Sequence, residues 1–447
     1  AQTQPVATLH SSAAGKQLTI REKQMSQTMT SRERVYAALR HEEPDRVPID
    51  FGSNYNTRVN VVAYNHLKKH LGIQSRTYSR GIAPMVATPD LDENLEIMKM
   101  MGGDILEFPP HLWVNWKDGL PDGPIGETMD FQLKDGTWCT FPAHPKPVKM
   151  DNGEYELHYG GIPMFRMPKD GYYFDRIFNP LSHIENLSQL KEMLPKWVSR
   201  GYYAQFKEEF LNNATQIAKK AYEQTDYFIL ANLPGNLSVY HVALEFFGYE
   251  KFLMFMAGDP DLVHYWMETT TQANEQKLAD YLKAVGPYIN GLIIGDDYGT
   301  QKGLQFSPKM FRDLIKPYLT RICSLIHETC PHVIVLKHAC GSITPIIPDL
   351  IEAGIDAINP VQTTAKDMEA DRLKKEFGKD VTFWGGGVSA QTTLFHGNVE
   401  DVKKEVKEKL EIFSPGGGYI FTSDHDIQEH VQPEMILATY QTALENG

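Results

Sequence analysis

Apolar residues recur along the chain at two spacings, one typical of helices and one typical of buried strands. The first helical pattern begins at Thr30, which can form a capping box with Glu33, and its apolar stripe includes positions 35, 38 and 39. The apolar run 47–51 follows and ends at a glycine, as expected for a buried strand. Ordered structure is therefore predicted from about residue 30 onward.

Short apolar runs continue through the rest of the chain, mostly at intervals of roughly 25–40 residues with helical patterns between them. We predict eight strands, centred near residues 48, 106, 229, 293, 335, 357, 382 and 420. Repeated strand–helix units build parallel sheets, and eight of them favour an α/β fold of the (β/α)8 TIM-barrel type over residues 30–447. An open, doubly wound sheet is the alternative, but no G-x-G-x-x-G motif stands at a strand-to-helix turn.

Residues 109–180 differ from this pattern. They are rich in Trp, Tyr, Gly, Pro and Asp, and the dipeptides Asp135-Gly136 and Asn152-Gly153 are typical of β-hairpin turns. We predict a β-hairpin-rich insertion that acts as a lid over the barrel. A surface layer and an oligomer contact are the alternative interpretations.

The composition excludes several classes of protein. A net charge of −13 over 447 residues, with no basic cluster, argues against nucleic-acid binding. No run approaches the ~18 consecutive apolar residues of a membrane-spanning helix. Four cysteines cannot form a disulfide framework, and they indicate a reducing, cytoplasmic location. Residues 1–29, rich in Gln, Thr, Ser and Ala, are predicted to be a disordered N-terminal arm.

Residues with metal-binding side chains follow two of the predicted strands. His338 and Cys340 are two positions apart, so on a strand their side chains point to the same face and supply half of a zinc site. A third ligand would come from other strand ends, and the candidates are His425, Asp424, Asp296 and Asp297. The alternative is a buried cysteine beside a hydrogen-bonded histidine. Since active sites of these barrels lie at the carboxyl ends of the strands, a catalytic zinc site is predicted.

Polar residues at the other strand ends are candidates for catalysis and substrate binding. Adjacent carboxylates on a strand point to opposite sides, so one of Asp296 and Asp297 is expected to face the barrel axis as an acid/base, a metal ligand or an anchor. A turn or helix-capping role is the alternative. His425 is a further catalytic candidate. The predicted substrate-binding residues, which offer hydrogen-bonding amides, are Asn54, Asn359, Gln362 and Gln391.

The motifs at the strand ends resemble those of the uroporphyrinogen decarboxylase superfamily, from about Ser31 to the C-terminus. The resemblance begins with R-E-R-V-Y-A-A-L-R-H-E-E-P-D-R-V-P-I-D-F-G and continues, in order, with G-D-D-Y-G, H-A-C-G-S-I, A-G-I-D-A-I-N-P-V-Q, F-W-G-G-G-V and H-D-I-Q-E-H-V-Q-P-E. It implies a (β/α)8 barrel and a homodimer.

The superfamily has two main chemistries, and this chain resembles one of them more closely. Its decarboxylases bind substrate carboxylates through paired arginines after the first strand. The corresponding residues 51–58 of this chain read F-G-S-N-Y-N-T-R and lack that pair. Its corrinoid-dependent methyltransferases hold zinc through H-x-C after the fifth strand, which His338 and Cys340 match, and a cysteine after the eighth. This chain has S-D-H-D at 423–426 in place of that cysteine, so the third ligand departs from the pattern.

The resemblance implies a zinc-assisted methyltransferase that exchanges a methyl group with a corrinoid. Since the chain has no D-x-H-x-x-G cobalamin signature, the corrinoid is expected on a separate partner protein. A site completed by histidine or carboxylate suits a methyl ether or an amine, and a methoxy-aromatic substrate is compatible with the aromatic segment 109–180. The alternatives are a metal-free decarboxylase or lyase acting on a smaller acid, and a non-catalytic corrinoid- or tetrapyrrole-binding protein.

Overall fold

A curved sheet of parallel strands forms the centre of the molecule. The computed structural model describes residues 28–79, 86–87, 95–108, 114–117, 120–124, 128–143, 145–159, 161–198, 203, 205–233 and 237–447. Seven strands follow one another in the sheet: β1 (Ile105–Phe108), β10 (Phe228–Asn232), β11 (Gly291–Gly295), β14 (Ile334–His338), β15 (Ala357–Asn359), β16 (Thr382–Trp384) and β17 (Tyr419–Ile420). Each pairs in parallel with the next.

Residue Ile49 closes this sheet into a barrel. It forms parallel bridges both to Phe421, directly after β17, and to Gly103, just before β1. The Asp50 N–H donates to the Phe421 carbonyl at 2.9 Å, and the Asp104 N–H donates to the Ile49 carbonyl at 2.8 Å. The apolar run around residue 49 therefore supplies the eighth strand position, and the predicted (β/α)8 barrel is confirmed.

Helices surround the barrel, and one of them covers its amino-terminal end. Helix α1 (Ser31–Leu39) has the predicted capping box between Thr30 and Glu33. Its Val35 and Ala38 belong to one buried cluster with strand residues such as Leu336. The remaining α-helices are α2 (Val61–Leu71), α3 (Glu96–Met100), α4 (Leu187–Val198), α5 (Glu208–Gln224), α6 (His241–Phe247), α7 (Tyr249–Gly258), α8 (Pro260–Val285), α9 (Pro308–Leu314), α10 (Lys316–Thr329), α11 (Ile347–Glu352), α12 (Ala370–Phe377), α13 (Thr393–His396), α14 (Val399–Phe413) and α15 (Pro433–Asn446).

The segment between β1 and α4 is built from antiparallel strands. Its pairs are β2 (Val114–Lys117) with β3 (Leu120–Pro124), β4 (Thr128–Gln132) with β5 (Trp138–Pro142), and the sheet of β6 (Pro147–Lys149), β7 (Tyr155–Tyr159), β8 (Ile162–Met167) and β9 (Asp175–Arg176). Gly136 and Gly153 adopt φ of +88° and +89° at two of its turns, a conformation that glycine adopts readily. Buried Phe131 and Phe141 pack with Val61 of α2, which seats the segment on the barrel.

Two short strands complete the structure, β12 (Gly299–Thr300) and β13 (Gly303–Leu304). In the described part of the chain, no helix combines the length and apolar character needed to cross a membrane. The predicted N-terminal arm lies almost entirely in residues 1–27, outside the described residues.

Candidate metal centre

His338, Cys340 and His425 come together at the carboxyl end of the barrel strands. Each offers one ligand atom, and these three atoms lie within 4.8 Å of one another. His338 is the last residue of β14, Cys340 follows two residues later, and His425 lies in the loop after β17. Cys340 Sγ is 3.3 Å from His338 Nε2. Tetrahedral zinc holds its N and S donors about 3.3–3.8 Å apart, so the distance between Cys340 Sγ and His338 Nε2 fits that ion.

The hydrogen bonds of His338 determine which of its nitrogens can bind a metal. Nδ1 lies 2.8 Å from Asn359 Oδ1. Asn359 Nδ2 donates to the Trp384 carbonyl at 2.9 Å, which orients the amide so that its oxygen faces the imidazole. Nδ1 therefore carries a proton, and Nε2, which faces Cys340 and Asp297, is the nitrogen at which a metal would take the place of a proton. The Asn56 amide is 2.9 Å from the same Nδ1 and can present its oxygen after a flip.

A carboxylate orients His425 in a similar way. Its Nδ1 contacts Asp426 Oδ1, so Nε2 is the nitrogen that is free of this bond. Burial lowers the pKa of His425, but the hydrogen bond and charge of Asp426, together with the charges of Asp424 and Asp297, raise it overall. Asp426 itself is buried. This histidine therefore has the orienting partner that metal-binding histidines usually have.

The electrostatics around Cys340 favour a bound cation. Burial and the nearby Asp297 carboxylate raise the pKa of the Cys340 thiol well above its usual value. A metal ion at this position would reverse that effect, because a coordinating thiol is deprotonated. The thiol, the two imidazoles and the adjacent carboxylate together make a donor set that zinc suits.

Asp297 lies at the edge of this group. Its Oδ1 accepts the Cys340 N–H at 3.0 Å and is 3.4 Å from His338 Nε2. Burial raises the pKa of Asp297, but the contacts with His338 and the Cys340 N–H hold it far below its usual value. The carboxylate is therefore ionised, and it lies close enough to act as a further ligand or to accept a proton.

Asp296, the other catalytic candidate, lies in a different environment. Its carboxylate forms a fully buried ion pair with Lys337, 2.7 Å from Nζ, and contacts the Ser238 hydroxyl. It also accepts the N–H groups of Tyr240 and His241 at 2.8 and 2.7 Å. Burial raises its pKa, but Lys337, together with the Ser238 hydroxyl and the His241 N–H, lowers it overall. These contacts favour an anchoring role for Asp296, which holds the start of α6 against the barrel.

A cleft of 640 Å³ opens beside the three ligand candidates. Its lining includes Cys340, His425, Gln362, Gln391 and Phe395. Of the predicted substrate-binding residues, Gln362 and Gln391 therefore border the cleft. Asn54 and Asn359 do not line it: Asn54 Oδ1 caps the 3₁₀ turn Tyr55–Thr57, and Asn359 contacts His338.

Several residues of the site were absent from the sequence-based prediction. Phe395 lines the cleft with 52 % of its surface exposed, and its ring packs 4.2 Å from that of His430. Asn56 and Asp426 contact the two candidate histidine ligands. Asp426 is adjacent to His425 in the sequence, which is a usable signal, whereas no pattern in the sequence marks Asn56 or Phe395.

The relationship to known proteins agrees with this architecture. The model of the uroporphyrinogen decarboxylase (URO-D) family matches residues 205–445, more than half of the chain. The chain belongs to the uroporphyrinogen decarboxylase family. The match starts before β10 and ends in α15, so it includes His338, Cys340 and His425. Among curated protein sequences, no relative matches.

One solved structure of similar fold supports the same architecture. A methyltransferase from Methanosarcina mazei superposes with a TM-score of 0.56 at 16% identity, over 93% of this chain and 99% of that one. At this identity the similarity establishes the fold alone. An α-amylase from Geobacillus thermoleovorans (10% identity; 55% of this chain, 63% of that chain) and the xylanase XynB from Paenibacillus barcinonensis (10%; 56% and 92%) have TM-scores of 0.32 and 0.31, too low to support an argument.

Proposed function

We propose that this member of the uroporphyrinogen decarboxylase family is a zinc-dependent methyltransferase that exchanges a methyl group between a small substrate and the corrinoid of a partner protein. The observation that carries the proposal is the convergence of His338, Cys340 and His425, whose ligand atoms lie within 4.8 Å of one another. The site lies at the carboxyl end of the barrel strands, where active sites of this fold are found.

The donor set also suggests the kind of substrate. One thiolate and two neutral imidazoles leave zinc with a formal charge of +1, whereas a second thiolate would leave it neutral. When bound, such an ion supplies Lewis acidity, which suits an oxygen or nitrogen atom that bears a methyl group. A methyl ether, including a methoxy-aromatic compound, or a methylated amine is therefore the proposed substrate class.

The residues of the chain have separate roles in this proposal. Asn359 and Asp426 keep the two histidines oriented, and Cys340 supplies the thiolate. The Gln362 and Gln391 amides bind the substrate from the cleft wall, and Asp297 Oδ1 positions the substrate or accepts a proton. The corrinoid is supplied by a partner that docks over the cleft, and a homodimer is the proposed assembly.

The test is the metal content of the full chain, purified without chelators or a histidine tag. We expect about one zinc per chain by elemental analysis, its loss in His338→Ala and Cys340→Ala, and its retention in His396→Ala. His396 is the matched control because it lines the same cleft outside the ligand group. Zinc-loaded protein should then demethylate methyl ethers or amines in the presence of a reduced corrinoid protein.

The opposite outcome is equally informative. If the unmodified chain binds no zinc even after the metal is added back, the proposed metal centre is refuted. A metal-free decarboxylase or lyase then becomes the better hypothesis, and small carboxylic acids are the compounds to screen.

A further inference from the structure

A tyrosine of the β-hairpin segment lies next to the candidate metal centre. Tyr173, between β8 and β9, has its hydroxyl oxygen 2.9 Å from Asp426 Oδ2 and 2.7 Å from Gln428 Oε1. The single phenolic proton is shared between these two acceptors, of which the carboxylate is the stronger because it is charged. The contact joins residues that are 253 positions apart in the sequence.

The same carboxylate contacts the metal-ligand candidate His425 through its other oxygen. Asp426 Oδ1 meets His425 Nδ1, while Oδ2 receives Tyr173 and the Gln428 side-chain N–H at 2.9 Å. Asp426 is only 3 % exposed, so solvent cannot replace a lost donor freely. A continuous path of contacts therefore runs from Tyr173 through Asp426 to His425.

We propose that Tyr173 is a positioning residue for the metal ligand His425, so that the β-hairpin segment is a component of the metal centre as well as a covering layer. The proposal rests on the zinc site of the proposed function. Partners of a ligating histidine fix its ring and raise its basicity, and their loss typically lowers metal affinity by about 10–100-fold. Tyr173 acts one step further out, by holding the carboxylate in the rotamer that faces His425.

The surroundings of Tyr173 are consistent with this role. Burial, and next the Asp426 charge, raise the pKa of its phenol, so the hydroxyl keeps its proton and remains a donor. The neighbouring Tyr172 has different contacts: its ring lies 4.2 Å from the Lys134 ammonium. The two adjacent tyrosines therefore offer a matched pair for experiment.

The experiment measures the zinc affinity of the full chain by competition with a chromophoric chelator. We expect Tyr173→Phe to weaken zinc binding by about tenfold, and Tyr172→Phe to leave it unchanged. Cobalt is a second probe: the thiolate-to-cobalt charge-transfer band from Cys340 should persist in Tyr173→Phe, whereas the ligand-field bands should shift as His425 moves. Unchanged affinity and spectrum in Tyr173→Phe would overturn the proposal.

Asp426→Asn tests the path itself and remains informative if Tyr173→Phe fails to fold. Asn keeps the shape of the side chain and removes its charge, so we expect at least tenfold weaker zinc binding. In that background Tyr173→Phe should add little, since its effect passes through Asp426. Full additivity, or wild-type affinity in Asp426→Asn, contradicts the proposal. Absence of zinc binding by the unmodified chain refutes the proposed function instead.

Discussion

Asn359 Oδ1 and His338 Nδ1 are 2.8 Å apart, and this contact decides which imidazole nitrogen faces Cys340. The sequence placed Asn359 among the substrate-binding candidates, because an amide at a strand end is well suited to bind a ligand. In the structure, the amide is fully buried and its other end donates to the Trp384 carbonyl. Asn359 thus acts on the candidate metal centre through His338, and any contact that it makes with substrate would be indirect.

The first prediction concerns this amide. Asn359→Ala removes the acceptor that keeps the Nδ1 proton in place, so we expect zinc affinity to fall by about tenfold or more. Asn359→Asp retains an acceptor of similar shape and should bind zinc more tightly than the alanine variant. Competition titrations of both variants provide the measurement, and equal affinity in Asn359→Ala and the unmodified chain would refute this role.

The second prediction concerns the buried ion pair between Lys337 and Asp296, in which neither side chain is exposed. Lys337→Met leaves a buried carboxylate without its cation, which should cost about 3–5 kcal/mol in the free energy of unfolding. The exposed pair of Lys309 and Asp313 is the control, because Lys309→Met should cost less than about 1 kcal/mol. Urea unfolding measures both, and similar losses in the two variants would contradict an anchoring role for Asp296.

The third prediction is a pH dependence of stability that arises from Lys277. Burial lowers the pKa of this lysine to about 8, whereas the unfolded chain titrates near 10.4. Between these values the unfolded state binds a proton that the folded state lacks. The free energy of unfolding should therefore rise with pH over this window, by roughly 3 kcal/mol. Below pH 8 the cost of burying the protonated Lys277 is fully present.

Lys277→Met removes this titration and supplies the comparison. The variant should be more stable than the unmodified chain at pH 7, and the difference should shrink as the pH approaches 10. Buried tyrosines ionise at high pH and destabilise the folded state. They are common to both proteins, so their effect cancels in the difference. A constant difference in unfolding free energy between pH 7 and pH 10 would show that Lys277 keeps its proton in the folded state.

Much of the barrel could be predicted from the sequence, because buried parallel strands are short apolar runs that local pattern reveals. All eight expected strand positions lie in the barrel, including the run around residue 49. The spacing of His338 and Cys340 similarly predicted that their side chains share a face. Although Cys340 lies beyond the end of β14, its Sγ is 3.3 Å from His338 Nε2.

The third ligand candidate could not be selected from the sequence, because loop direction after a strand depends on tertiary packing. Of the four candidates, His425 joins the group. Asp424 instead accepts the Ala390 N–H at 2.7 Å, and Asp296 is bound by Lys337. The alternation of adjacent side chains predicted that Asp296 and Asp297 would differ in environment, but it did not indicate which one faces the metal centre. Tyr173 was also missed, since its contact with Asp426 depends on the folded insertion.

The closure of the barrel at Ile49 has a consequence for the candidate metal centre. The Ile49 N–H donates to the buried Asp104 carboxylate. This carboxylate also pairs with Arg34 and Arg46, each at 2.7 Å. The carboxylate of the next residue, Asp50, accepts the Trp384 indole N–H at 2.8 Å. The Trp384 carbonyl in turn accepts the Asn359 side-chain N–H. A transient opening of this joint, of the kind that amide exchange detects, would therefore loosen the support of His338. If zinc binds as proposed, its residence time would depend on local opening of the barrel wall on the opposite side.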